Sequence, residues 1–262
     1  VLYIKGDIIP EDKYAIAVVG SRKPTHYGIT VTETLTSELS SMGFTVVSGL
    51  ARGIDTAAHV AALKSGGRSI AVLGSGIDVP YPPENSGLME KLSGSGCVIS
   101  EFPPGTPPLS RNFPMRNRII SGLSLGVLVA EASANSGALI TARYALEQGR
   151  EVFAIPGNIN SSVSSGTNEL IKQGAKVVMK AEDVIEELAG VLKGFIKSKE
   201  KVKAHVSEEE KVLCDIMSFE PAHIDALSRE VKMPPHKALT LLLSLELKGV
   251  VKQIEGKMFH LT

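Results

Sequence analysis

The chain has 262 residues, enough for one large domain and a small one, and 43% of them are apolar, enough for a sizeable core. Twenty-eight basic residues balance 28 acidic ones, which excludes a broadly basic coat of the histone kind but leaves room for a local basic pocket. With no Trp and 5% aromatic residues an extended stacking platform is excluded, and no apolar run approaches the ~20 residues of a membrane span.

In chain order, Val1 to Ile4 reads as a lead-in strand and Gly6-Asp7 as a turn. The chain opens at Val1 rather than Met, with no signal sequence, and reads as trimmed, with sequence missing upstream. Ala15 to Val19 is a continuous β-branched and small apolar run that stops at Gly20, the pattern of a strand buried on both faces of a parallel sheet. Residues 29–42 carry Val31, Leu35 and Leu39 at helical spacing before Gly43. Strands follow at 45–48, 69–73, 97–102, 125–132, 151–155 and 176–179. Helices lie between them at 55–65, 84–92, 136–148, 168–173 and 182–188. Cys97 and Cys214 sit far apart among apolar neighbours and read as buried small hydrophobes in a reducing cytoplasm, ahead of a metal site or disulfide.

Past residue 190 the composition changes. Lys193, Lys197, Lys199, Lys201 and Lys203 mark residues 191–206 as a solvated linker. Residues 207–262 then give three helical patterns and a hairpin around Glu255-Gly256, which together spell a winged-helix domain. Its third helix, from Pro235 to Lys248, offers only His236, Lys237 and Lys248 as basic groups. A major-groove reader usually brings more Arg, Asn or Gln, so a protein contact or an accessory DNA role is expected of it.

Strands alternating with helices about seven times imply a parallel sheet with right-handed crossovers. All carboxyl ends of its strands share one rim, where ligands bind. The turns Gly20-Ser21-Arg22, Gly49 to Asp55, Gly74 to Gly76, Glu131 to Gly137 and Gly157-Asn158 therefore converge by topology. The first turn has neither G-x-G-x-x-G nor G-x-x-x-x-G-K-[ST] spacing, so it announces neither a dinucleotide nor ATP. It offers backbone N–H groups, a hydroxyl and a guanidinium, and two readings stand: a phosphate seat, or a turn and no more.

The segment from Arg111 to Arg118 packs Arg111, Arg116 and Arg118 with Asn112 and Asn117 into eight positions, and guanidinium forks grip phosphate oxygens bidentately. Arg116 and Arg118 cannot point the same way from one turn. Arg111, Arg118 and one amide are expected on the rim, with Arg116 paired to an acidic neighbour. Arg52 is expected to reach the same rim as Arg22, with Gly53 letting the backbone approach closely. Asp55 reads as the N-cap of its helix and His59 as a packed helix residue. Ser136, Gly137 and Thr141 open a helix whose positive end faces the pocket, adding roughly 0.3–1 kcal/mol per anionic contact. No H-E-x-x-H, metal spacing or Walker lysine occurs, which suits a binding pocket better than a catalytic one, with no metal or cofactor.

Val-Gly-Ser-Arg22, Ser-Gly-Leu-Ala-Arg-Gly-Ile-Asp55, Phe-Pro-Met-Arg-Asn-Arg-Ile-Ile120, Gly-Ala-Leu-Ile-Thr-Ala-Arg143 and Ile-Pro-Gly-Asn158 resemble the DNA-processing protein A family (DprA, also called Smf) in order over nearly all of residues 1–190. The resemblance implies an α/β fold: an extended Rossmann-like parallel-sheet domain at 1–190, followed here by the small C-terminal winged helix. It implies a non-enzymatic, homodimeric single-stranded-DNA binder that loads the RecA recombinase during natural transformation, in competition with single-strand binding protein. It also implies a helical domain upstream. Carried over, the DNA pocket falls on Ser21, Arg22, Gly49, Arg52, Gly53, Arg111, Asn112, Phe113, Arg116, Asn117 and Arg118, and on Ser136, Gly137, Thr141, Gly157, Asn158, Asn168 and Lys172. Phe113 is either a base-stacking ring worth ~1–3 kcal/mol or a core plug beneath the basic segment. With about four phosphates neutralised, affinity should fall roughly fiftyfold between 50 and 200 mM salt. The alternatives are a nucleotide sensor and an enzyme similar to the lysine-decarboxylase-like phosphoribohydrolases. The P-G-G-x-G-T-x-x-E motif of that second class is not matched at Glu131 to Gly137.

Overall fold

Apolar runs of four or five residues make the inner strands. In a computed structural model, describing residues 1–192, 207–218, 221–231, 233–247, 251–254 and 256–261, they lie where the runs predict. The strands of the large sheet are β1 (Tyr3–Gly6), β2 (Ala15–Val19), β3 (Thr45–Ser48), β4 (Ser69–Leu73), β5 (Cys97–Ser100), β6 (Gly126–Val129), β7 (Glu151–Ala154) and β8 (Lys176–Val177). Their spatial order is β1-β5-β4-β3-β2-β6-β7-β8. Neighbours run parallel from β5 through to β8. The lead-in strand departs from that rule: β1 closes the edge antiparallel to β5, with Tyr3 opposite Ser100.

The helices are α1 (His26–Ser41), α2 (Ile54–Lys64), α3 (Ser86–Ser95), α4 (Asn112–Gly122), α5 (Gly137–Glu147), α6 (Ser165–Lys172) and α7 (Ala181–Leu188). Alternate residues of each strand serve opposite faces, as the pleat requires. Ile16 and Val18 of β2 pack with Leu35 and Leu39 of α1 and Ile54 and Ala58 of α2. Ala15, Ala17 and Val19 pack instead with Ile119 and Ile120 of α4 and Ala138 and Ala142 of α5. The sheet is thus covered on both sides, and its strand order reverses at β2, between β3 and β6. Cys97 is buried in this core and Cys214 is half-buried; both are free thiols.

By internal packing the chain divides into two units, Val1–Ile196 and Lys197–Thr262. The second is a winged helix. It comprises α8 (Glu208–Ile216), β9 (Ala222–His223), α9 (Ile224–Glu230), α10 (Pro235–Leu247), β10 (Val251–Ile254) and β11 (Met258–Leu261), with sheet order β10-β11-β9. Ser207 and Glu210 form a reciprocal capping box at the start of α8. Leu213, Leu227, Leu242, Leu245 and Phe259 make a separate core. The two-residue β9 carries no alternation that a sequence reading could detect. The lysines expected as a linker, 193 to 203, lie outside the described residues, as does Lys248. No helix among the described residues is long and apolar enough to cross a membrane.

Candidate functional site

In a doubly wound sheet the crevice opens where strand order reverses, beyond the carboxyl ends of the strands. Here that point lies between the β2–α1 and β3–α2 turns on one side and α4 and α5 on the other. A cleft of about 610 Å³ occupies it, with Ser21, Arg22, Phe113, Arg116, Ser136 and Thr141 among its walls. The backbone is drawn tight around it. Ser21 N–H donates to the Glu131 carbonyl at 2.7 Å, and Ile54 N–H to the Ser21 carbonyl at 3.1 Å. Gly53 adopts φ 77°, in the left-handed region, and a Cβ there would strike the Ser21 carbonyl. Ser136 caps α5, its Oγ accepting from Ala138 N–H at 3.3 Å, so the positive end of that helix opens into the cleft.

The floor is a buried cation. Arg116 is 4% exposed; its Nη1 donates to the Gly49 carbonyl at 2.6 Å and to the Val72 carbonyl, and its Nε to Asn117 Oδ1 at 3.1 Å. A Cβ on residue 49 would lie 2.5 Å from Arg116 Nη1, which is why glycine stands there. Burial lowers the Arg116 guanidinium to about 10, against the pull of Asp55. Burial pushes the Asp55 carboxyl up, with Arg116 opposing. Over this floor stands the half-buried ring of Phe113, with Arg116 Cζ 5.9 Å and Arg22 Cζ 5.5 Å from its centroid. Tyr81 lies tilted against the same ring, centroids 5.4 Å apart at 40°. Arg22 is exposed and forms no salt bridge among the described residues. An exposed guanidinium on an aromatic face suits both a phosphate and a base.

The eighteen residues singled out by sequence divide between places. Ser21, Arg22, Phe113, Arg116, Asn117, Ser136, Gly137 and Thr141 line the cleft. Gly49 and Arg52 line a smaller recess shared with Arg22, Tyr81 and Phe113. The two arginines of α4 are allocated the other way round from the expectation. Arg116 faces the cleft and Arg118 pairs with Glu101, because two positions on a helix differ by about 200°. Arg111 is exposed at the start of α4 outside the cleft wall, and Asn112 is buried, its Nδ2 donating to the Pro107 carbonyl at 3.4 Å. Gly157 and Asn158 line a neighbouring cleft of about 410 Å³ with Tyr27 and Glu131. Asn168 clamps Gly157 reciprocally, accepting from its N–H at 3.2 Å and donating to its carbonyl at 3.0 Å. Lys172 points to Glu169 on its own helix, 3.5 Å away.

Asp55 is not the N-cap: Gly53 takes that position, and Asp55 in the first turn reaches back to the N–H groups of Gly49 at 3.1 Å and Ala51 at 3.3 Å. His59 is fully buried, its Nδ1 2.7 Å from Ser69 Oγ, and burial lowers it to about 3. Sequence reading missed Tyr81 and Glu84, and it placed Glu131 on the rim without finding its partner. Tyr81 follows the Gly74–Gly76 turn at a distance that topology alone does not bring back to the cleft. Glu131, 2% exposed, accepts from Thr25 N–H at 2.8 Å and Thr25 Oγ1 at 2.6 Å, tying β6 to the start of α1. Glu84 holds Arg52 through Nη2 at 3.0 Å and through Nε. A lone carboxylate at long sequence separation leaves no spacing signal.

A Rossmann-like sheet with a cationic, aromatic cleft at its switch point, followed by a winged helix, defines the class. Residues 1–189 match the family model described as DNA recombination-mediator protein A, and residues 197–257 match the DprA winged helix domain. The chain belongs to the DNA recombination-mediator protein A family. It is 41% identical to Protein Smf of Escherichia coli (strain K12) over 97% of this chain and 70% of that protein. Among solved structures, DNA processing protein A from Streptococcus pneumoniae superposes with TM-score 0.68 at 48% identity, over 71% of this chain and 65% of that one. The protein of that name from Helicobacter pylori, described for its single-stranded DNA binding mode, gives 0.65 at 31%, over 72% and 87%. The chain spans about two thirds of the length of the curated relatives it matches.

Proposed function

We propose that this chain binds single-stranded DNA in the switch-point cleft and acts as a recombination mediator, delivering the strand to a RecA-type recombinase. The observation that carries the reading is the exposed Arg22 guanidinium resting on Phe113 at the mouth of a cleft walled by turn amides, Ser136 and the start of α5. Phosphates take Arg22, Lys23 and the α5 N-terminus, and a base takes the Phe113 and Tyr81 rings. Arg116 supplies positive potential from below and holds Phe113. The family description and the single-stranded DNA binding mode described for the Helicobacter pylori relative support the same reading.

Binding rather than catalysis fits the state of the titratable groups. Asp55 is held by two backbone N–H groups, Glu131 by Thr25, and His59 is kept neutral by burial. None is poised as a free acid or base. One cleft grips a strand modestly; two copies on one strand gain by effective concentration, which gives self-association a purpose, along with the ability to compete with single-strand binding protein in the cytoplasm.

The test is Arg22→Ala, titrated with a fluorescent oligonucleotide by anisotropy. A loss of about tenfold or more is expected, with unchanged circular dichroism and melting. Undiminished affinity removes the cleft from consideration. Calorimetry with mononucleotides separates the enzyme and sensor readings: tight mononucleotide binding with indifference to oligonucleotides favours those.

A further inference from the structure

Arg52, in the wall of the recess beside Phe113, is paired with the carboxylate of Glu84. Glu84 stands on the short 3-10 turn Pro83–Asn85, and both its oxygens face Arg52. Both side chains are about half exposed, 54% and 52%. The neighbouring Asn85 does the structural work of that turn, donating to the Leu50 carbonyl and to Thr56 Oγ1 at 2.9 Å each. Beyond Arg52, its carboxylate is held, among the described residues, only by its own backbone N–H. A bidentate carboxylate occupies the same guanidinium edge, in the same plane, that two phosphate oxygens would take. Arg52 shares its recess with Arg22, the exposed cation of the cleft mouth.

We propose that Glu84 is a resident competitor for phosphate that sets how strongly, and at what ionic strength, the cleft takes a nucleic-acid strand. The proposal rests on the single-stranded DNA reading above. A strand that engages Arg52 must displace Glu84 and leave its carboxylate beside the phosphodiester. Arg52 and Glu84 together carry no net charge, so in the free protein this arginine has little counterion-exchange work to contribute. The wild-type cleft therefore behaves as if Arg52 were half-withdrawn. Only strands held by the remaining contacts, Arg22 first among them, gain it. Such a threshold disfavours short or isolated phosphates and favours a strand that spans the cleft.

The experiment uses the whole chain in four forms: wild type, Glu84→Gln, Arg52→Ala and the double variant. Each is titrated with a fluorescent single-stranded oligonucleotide at 50, 100 and 200 mM salt, with Arg22→Ala as a fifth arm. Glu84→Gln keeps the shape, leaves one acceptor oxygen in place of two and removes the charge. It is expected to bind about fivefold more tightly at 50 mM, with a log–log salt slope steeper by ~0.7, one extra phosphate on a single strand. The gain should disappear in the Arg52→Ala background. Equal or weaker binding by Glu84→Gln, in a protein whose Arg22→Ala form still loses affinity, overturns the proposal and makes Glu84 a residue that positions Arg52 for binding. A gain that persists without Arg52 overturns it too, as a general charge effect. If Arg22→Ala binds as wild type does, the cleft reading itself fails and this inference falls with it.

Discussion

Two arginines that meet the same ring do opposite work. Arg22 is exposed and its removal bares one face of the Phe113 ring, whereas Arg116 is buried and spans the ends of β3 and β4 through the Gly49 and Val72 carbonyls. Replacing this buried guanidinium leaves two carbonyls without their donor and Asp55 without the nearby positive charge. Arg116→Met is therefore expected to lower unfolding free energy by about 3–5 kcal/mol in urea titration. Gly49→Ala should cost about 1–3 kcal/mol through the same group, since the new Cβ must push the guanidinium off its carbonyls. If Arg116→Met melts like wild type, the buried cation is not structural, and its place in the cleft would have to be explained by ligand contact alone. Loss of DNA binding in an Arg116 variant thus has meaning only beside its stability, whereas Arg22→Ala is read directly.

At the scale of elements, α2 and β4 are joined by the His59–Ser69 hydrogen bond inside the core. Burial holds His59 at about 3, below its ordinary 6.5. The unfolded chain then binds a proton that the folded chain refuses. The stability this contributes is present above pH 6.5 and is lost progressively as pH falls towards 3. Urea unfolding from pH 7.5 to 4.5 should show that loss, and His59→Gln should flatten the profile; an unchanged slope would mean that other groups control the acid range. The same elements mark the boundary of what sequence made legible. Continuous apolar runs located β2, β3 and β4 to the residue, because a strand covered on both faces needs no phase. The convergence of glycine turns on one rim followed from parallel topology. A helix does need a phase: α4 has arginines at 116 and 118, and with apolar neighbours on either side nothing in spacing decided which faced the sheet. The carboxylates of Glu84, Glu101 and Glu131 were invisible as partners because each meets its mate across 17 to 106 positions. Asp55 misled for a local reason, since Gly53 at positive φ took the cap and left the carboxylate free to hold the loop before it.

For the whole molecule, zero net charge makes salt dependence a local measurement, with no global field to confuse it. The fiftyfold loss expected from four phosphates needs revision now that Arg52 and Arg118 are paired internally. Arg22, Lys23 and Arg111 are exposed near the cleft and form no salt bridge among the described residues, so about three phosphates should release counterions. The slope is then ~−2.1, and affinity should fall roughly twentyfold between 50 and 200 mM salt. These cations all lie in the first unit, which has its own core, and the winged helix has another. A fragment ending at residue 190 is expected to fold and to keep the oligonucleotide affinity of the whole chain within about twofold, with the same slope. Residues 207–262 alone should bind at least a hundredfold more weakly, as a third helix poor in Arg, Asn and Gln implies. If the fragment instead loses more than tenfold and a shallower slope accompanies the loss, the winged helix carries phosphate contacts of its own, and the cleft is only part of the strand's path.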